Sequence, residues 1–314
     1  MKMRYKINAV FLVLILSLLL NTGITNGKSL SAGKKYSSSS KTLRSMARVY
    51  MAYGEYAKAQ PLAEQALTLA KRNGASNSEL AMCLIDLATL YKGQNKSADA
   101  EEMCELGLKL QEKALYRNHP YIAYTLRTLS SIYSQQARYS RAETTLDKAM
   151  SVMLDSHGAN DKAMAPFFVD IAKLNAAQGR LEEAESYYQR AMSLINSSYG
   201  PDHLYTANVL GDMAQLYTLQ GRYSEAEKMI DRTVATQEKI YGSDHHLVAS
   251  SWLTKAKVCR VKGERTKAER LIRRALAAVE KTGNTAALAK LEQDVREIRV
   301  SKLVAYASTG KTIK

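Results

Sequence analysis

Apolar residues recur along this chain at i, i+3, i+4 and i+7, the spacing that gathers them on one face of an α-helix. Leu210, Met213, Ala214 and Tyr217 form one such set, and Leu43, Met46, Ala47, Tyr50 and Leu84, Leu87, Ala88, Tyr91 form two more. Four residues past the tyrosine position stand Gly54, Asn95, Ala137, Gly179, Gly221 and Gly263. Glycine and asparagine tolerate the left-handed backbone that ends a helix, so this position predicts a bend, with Ala137 the poorest fit. A second periodic stretch follows the bend: Ala226, Met229, Ile230, Thr233 and Val234 share one face, echoed by Ala184, Tyr187, Tyr188, Ala191 and Met192.

This helix-bend-helix unit occurs six times. GEYAKAQ (54–60), NKSADAE (95–101), ARYSRAE (137–143), GRLEEAE (179–185), GRYSEAE (221–227) and GERTKAE (263–269) align without gaps. Their alanines, Ala59, Ala100, Ala142, Ala184, Ala226 and Ala268, are spaced by 41 residues once and by 42 four times. A small residue there lets the two helices of a unit approach closely. Neither helix buries enough alone, so unit must stack on unit, which predicts an all-α solenoid over residues 41–282 held by nearest-neighbour contacts. Residues 283–304, with Leu288, Leu291, Val295 and Ile298 on one face and no partner helix following, read as a C-terminal capping helix. Lys255, at an otherwise apolar position, and Asn175 and Cys259, at the tyrosine position, are departures in units four and six.

Composition agrees with this reading. Four prolines and three phenylalanines in 314 residues, against abundant Ala, Leu, Glu, Lys and Arg, favour helix and leave little strand character. Residues 1–27 differ: a basic start, an apolar run from Ala9 to Leu20, then a polar stretch with small residues read as a secretory signal peptide. The strongly apolar run is short against the roughly 20 residues that span a bilayer, which favours cleavage; an uncleaved anchor from Ile7 to Ile24 is the alternative. The protein is thus expected to be periplasmic or secreted, or membrane-anchored if the segment is retained. Residues 28–40 read as a Ser/Lys-rich linker and 305–314 as a basic tail.

Export permits disulfides, but Cys83, Cys104 and Cys259 are odd in number and lack framework spacing, so they are expected as small buried residues. The net charge of +15 is uneven: residues 1–54 carry nine Lys/Arg and no acid, and 255–314 carry sixteen against six. Basic ends suit an anionic membrane surface, a solvated basic face being the plainer alternative, while export argues against nucleic acid.

A polar stripe marks the helix face opposite the apolar one. In the fifth unit Asn208, Asp212, Gln215 and Thr218 fall at i, i+4, i+7 and i+10, and the Asp212 position recurs as Ser45, Asp86, Thr128, Asp170 and Thr254. With stacked helices roughly 10 Å apart, such a row lines a groove or forms a solvated face.

The pattern of Leu, Leu-Ala, Tyr, Gly-x-Tyr and Ala-Glu resembles the tetratricopeptide repeat, and the 42-residue period with loop phrases such as YGPDHLYTA is similar to its kinesin light chain subclass. The resemblance covers about residues 41–282 and implies a right-handed superhelix whose first helices line a concave, peptide-holding groove. In the light chain subclass an asparagine commonly occupies the row that here holds Asp, Thr or Ser. Ionised aspartate only accepts hydrogen bonds, so a protein or peptide rich in Lys, Arg or backbone N–H groups is the expected ligand. The groove candidates are Ser45, Asp86, Thr128, Asp170, Asp212, Thr254, Asn208 and Gln215.

His119, His203 and His245 share one loop position, where Asp161 stands in the fourth unit. Just before a helix these side chains suit capping of free backbone groups; gathering of His203 and His245 as metal ligands is the alternative. STGKT (308–312) lacks the first glycine of a phosphate-binding loop, Ala305 standing in its place, and no nucleophile elbow, paired catalytic carboxylates or CxxC occurs. The sequence therefore points to a non-enzymatic, exported protein-interaction scaffold without cofactor or metal. A peripheral envelope protein held on anionic membrane by its basic ends is the alternative, and a metal or catalytic protein using the histidine loops the least favoured.

Overall fold

The computed structural model describes residues 32–116, 118–158 and 161–300. Among them run thirteen α-helices and no strand. Helices α1 (Ala32–Ala52) and α2 (Tyr56–Arg72) form the first unit, α3 (Asn77–Gly93) and α4 (Ser97–Ala114) the second, and α5 (Pro120–Gln135) and α6 (Tyr139–His157) the third. The fourth is α7 (Ala165–Ala177), led by a one-turn 3-10 helix at Lys162–Met164, with α8 (Leu181–Tyr199). Helices α9 (Leu204–Leu219) and α10 (Tyr223–Tyr241) make the fifth, α11 (His246–Val261) and α12 (Arg265–Glu280) the sixth, and α13 (Thr285–Val300) caps the array. Residues 1–27 and 305–314, read as targeting segment and basic tail, lie outside the described residues. No described helix is long and apolar enough to cross a membrane.

Each first helix packs on its own second helix, and each second helix on the next unit's first. Successive first helices also touch, while successive second helices stay farther apart, so the array curves with its first helices inside. One boundary is corrected: α1 begins at Ala32, so Ala32–Ser40 extends the first helix rather than forming a linker. Elongating a formed helix adds one hydrogen bond per residue, and the Ser40 hydroxyl is anchored on the Ala66 carbonyl at 3.0 Å.

All six bends form as predicted. Gly54, Asn95, Ala137, Gly179, Gly221 and Gly263 have φ of 71°, 60°, 58°, 79°, 76° and 84°. The next residue's N–H then returns to the tyrosine-position carbonyl: Glu55 to Tyr50, Lys96 to Tyr91, Arg138 to Tyr133, Arg180 to Asn175, Arg222 to Tyr217 and Glu264 to Cys259, at 2.8–2.9 Å. This bond satisfies a carbonyl the helix end leaves free.

Small residues set the helix spacing. The six repeated alanines are at most 1% exposed, and opposite them lie Ala47, Ala88, Ala172, Ala214 and Ala256, all at 0%. Unit three has Ser130 instead, whose hydroxyl donates to the Ala142 carbonyl at 2.7 Å. Leu291, Val295 and Ile298 of α13 pack into the core of the last unit. Cys83, Cys104 and Cys259 are free and buried.

A polar ladder joins the units. Glu185, early in α8, accepts from Gln220 (3.1 Å), Arg222 (2.7 Å) and the Tyr217 hydroxyl (3.0 Å) of the following unit. Glu101 accepts in the same way from Gln136 and Arg138, Glu143 from Gln178 and Arg180, and Glu227 from Lys262 and Lys267. At the end Glu269 pairs with Arg299 of α13 at 2.8 Å. The repeated Ala-Glu thus packs through its alanine and registers the next unit through its glutamate.

Candidate functional site

The first helices supply the concave face, and the predicted row lies along it. Ser45, Asn208 and Gln215 are exposed, and Thr128 and Thr254 are half-buried. The two threonines donate to their own helices, at the Tyr124 and Ser250 carbonyls, and Asn208 accepts from Gln237 of α10 at 3.2 Å.

The three aspartates are not free acceptors. Asp86, 4% exposed, takes Arg44 on one oxygen at 2.7 Å and Arg48 on the other at 2.8 Å, both from α1. Asp170 pairs with Arg127 of α5, and Asp212 with Lys173 of α7 at 2.9 Å. Each carboxylate therefore ties one first helix to the one before it. Burial pushes the Asp212 carboxyl up, against the pull of Lys173. The expected attraction for a cationic ligand loses its basis, since these charges are neutralised within the array.

A second row lies on the same face, one turn further along each first helix: Arg48, Thr89, Ser131, Lys173, Gln215 and Lys257. It contains three cations and no acid. The same 42-residue period, applied three residues past the aspartates, would have found it. Lys92 adds another charge: its Nζ donates to Ser131 Oγ at 2.9 Å, and burial lowers its pKa against the field of Asp170. Arg127 lies over the Phe167 ring at 5.8 Å, beside partly exposed Tyr124.

The histidine loops are caps. Nδ1 of His119, His203 and His245 accepts the backbone N–H of Tyr121 (3.1 Å), Tyr205 (3.1 Å) and Leu247 (3.2 Å), and Asp161 accepts that of Ala163 at 2.6 Å. Tyrosines brace the rings: Tyr199 stacks on His203 at 4.7 Å and Tyr241 on His245 at 4.3 Å. Each Nδ1 lone pair is thus committed to a helix start rather than to a metal. Among the described residues, Glu227, Cys259 and Glu264 bring three ligating atoms together, but Lys262 and Lys267 bridge both carboxylates.

The model of the tetratricopeptide repeat matches residues 38–113, 164–239 and 213–281. Among solved structures, the TPR-like repeats of a Podosopora anserina kinesin light chain are 21% identical, covering 66% of this chain and 97% of that one, with a TM-score of 0.50. BtubC (BKLC) from P. vanneervenii is 16% identical, covering 91% and 99%, at 0.52. NprR in complex with its cognate peptide NprX is 15% identical, covering 92% and 79%, at 0.64. Among curated proteins, no sequence matches this chain.

Proposed function

The chain belongs to the tetratricopeptide repeat family, and from that premise we propose that it is a non-enzymatic scaffold whose concave face binds an acidic protein segment. The observation that carries this reading is the charge of the inner face. Arg44, Arg48, Arg127, Lys173 and Lys257 stand against Asp86, Asp170 and Asp212, each held by a base of the array, and Asp294 of α13, which lies in the field of Lys257. The surplus is positive and complements carboxylates. Long-range attraction of this kind weakens with salt.

Fluorescence anisotropy with two labelled peptides of equal length, one Glu-rich and one Lys-rich, tests the charge assignment. The Glu-rich peptide binds, more weakly as salt rises, and the triple variant Thr89→Glu, Gln215→Glu, Lys257→Glu loses it. Tighter binding of the Lys-rich peptide would overturn the assignment. The proposal includes export, on the strength of residues 1–27, with N-terminal sequencing of protein recovered from cell fractions as its check.

A further inference from the structure

The two ends of the array meet. Asn284, just before α13, donates from Nδ2 to the Tyr53 carbonyl at 3.0 Å, across 231 residues of chain. The Tyr53 ring lies 5.2 Å from the His245 ring and 6.3 Å from that of His246. The His246 ring comes within 3.9 Å of where a side chain on Gly54 would start, and it hydrogen-bonds the Ala52 backbone. The turn after α1 therefore sits against the loop before α11, and the array encircles its concave face.

The residues at this contact depart from the repeat. The Tyr53 position holds Gln94, Gln136, Gln178, Gln220 and Lys262 in the later units, each reaching back to the unit before it. Unit one has no described unit before it and carries tyrosine, which reaches the sixth unit instead. The residue after the loop cap is Asn77, Pro120, Lys162 and Leu204 in units two to five, and a second histidine, His246, in unit six.

We propose that this contact is a latch: it holds the array closed around its groove, and protonation of the His245–His246 pair releases it. The two rings lie 4.4 Å apart. Facing them are Tyr241 from α10, Tyr53 from the first unit and Lys290 from α13. The neighbouring carboxylate, Asp244, is exposed and paired with Lys281 at 3.7 Å. A proton on either ring thus sets a charge beside a second imidazole and an ammonium in a partly buried site, and the faces of the two tyrosine rings offset only part of that cost. Burial, helped by His246, pushes His245 down from 6.5 to about 4, and burial and Lys290 lower His246 as well, against the hydrogen bond to the Ala52 backbone, which favours its protonated form. A depressed histidine favours the closed form while neutral, so closure is fullest above pH 6.5 and is lost as pH falls toward 4. If opening restores the ordinary value of His245, the open-to-closed ratio rises about 20-fold between pH 7 and pH 5. A closed array admits a segment along its axis, as a chain end, and an open one admits it from the side. That gating consequence rests on the groove reading, whereas the latch does not.

Small-angle X-ray scattering of the full chain without ligand tests the latch, with far-UV circular dichroism alongside. At pH 7.5 the wild type is compact; at pH 5 its radius of gyration increases at constant helicity. Tyr53→Ala/Asn284→Ala is expanded at both pH values, and His245→Asn/His246→Gln, which keeps a capping side chain, stays compact at both. An unchanged wild-type radius between pH 7.5 and 5, or loss of helicity in place of expansion, would overturn the proposal. A doubled mass at pH 7.5 would assign the contact to exchange between two copies and equally overturn it.

Discussion

Ala137 is an alanine in a left-handed bend. Its φ is 58°, where the other five units place glycine or asparagine. The conformation is imposed from both sides: Ala137 N–H bonds the Ser134 carbonyl at 3.0 Å, and Arg138 N–H returns to Tyr133 at 2.9 Å. A Cβ in this region costs about 1–2 kcal/mol. Glycine removes that cost but surrenders about 0.5–1 kcal/mol through the greater freedom of the unfolded chain. Ala137 is exposed, so its methyl contributes little packing. Ala137→Gly should therefore stabilise the array by about 0.5–1 kcal/mol, a rise of about 0.2–0.5 M in urea midpoint at unchanged slope. Far-UV circular dichroism follows the whole array, and fluorescence of Trp252, the single tryptophan, follows unit six. Coincident curves show that the units unfold together, which nearest-neighbour arrays do not always do. A neutral or destabilising Ala137→Gly with unchanged slope would refute the reasoning.

Removing Asp86 leaves Arg44, whose side chain is 9% exposed, without its carboxylate; Asp86→Ala should cost about 3–5 kcal/mol in urea unfolding, and adding Arg44→Met should recover part of it. Lys262 and Lys267 hold Glu227 down to about 2 from 4.5. A depressed carboxyl contributes stability that is present above pH 4.5 and lost as pH falls toward 2, so Glu227→Gln should flatten acid unfolding over that window, measured by circular dichroism. Burial raises the thiol pKa of Cys83 and Cys259 and pushes Cys104 up to about 12. A thiol-reactive dye at pH 8 should label none of them in the native protein and all three in urea; rapid labelling of the native protein would contradict their burial.

What the sequence discloses about this protein is what repeats. The bends, the paired helices and the histidine and aspartate caps recur at one period, so each is read six or four times rather than once. The pairing of the aspartates escapes that reading because their partners stand 38 to 43 residues earlier, in other positions of the unit: Arg44 and Arg48 for Asp86, Arg127 for Asp170, Lys173 for Asp212. Alignment by column shows a row of acids and hides the bases that neutralise it. Composition also misled at Ala32–Ser40, whose serines and lysines suggest a linker although the helix continues through them. The contact of Tyr53 with Asn284 has no periodic signature, since it depends on the curvature summed over all six units.

The central claim is that partners bind the inner face of the array, and capture with two charge-matched variants tests it most directly. Thr89→Glu/Gln215→Glu/Lys257→Glu alters exposed residues of first helices, and Ser151→Glu/Ser193→Glu/Lys228→Glu makes the same charge change on exposed residues of second helices. With both confirmed as folded, mass spectrometry should find wild-type partners retained by the second variant and lost from the first. Partners that persist on the first variant, or that disappear equally from both, would contradict binding in the groove.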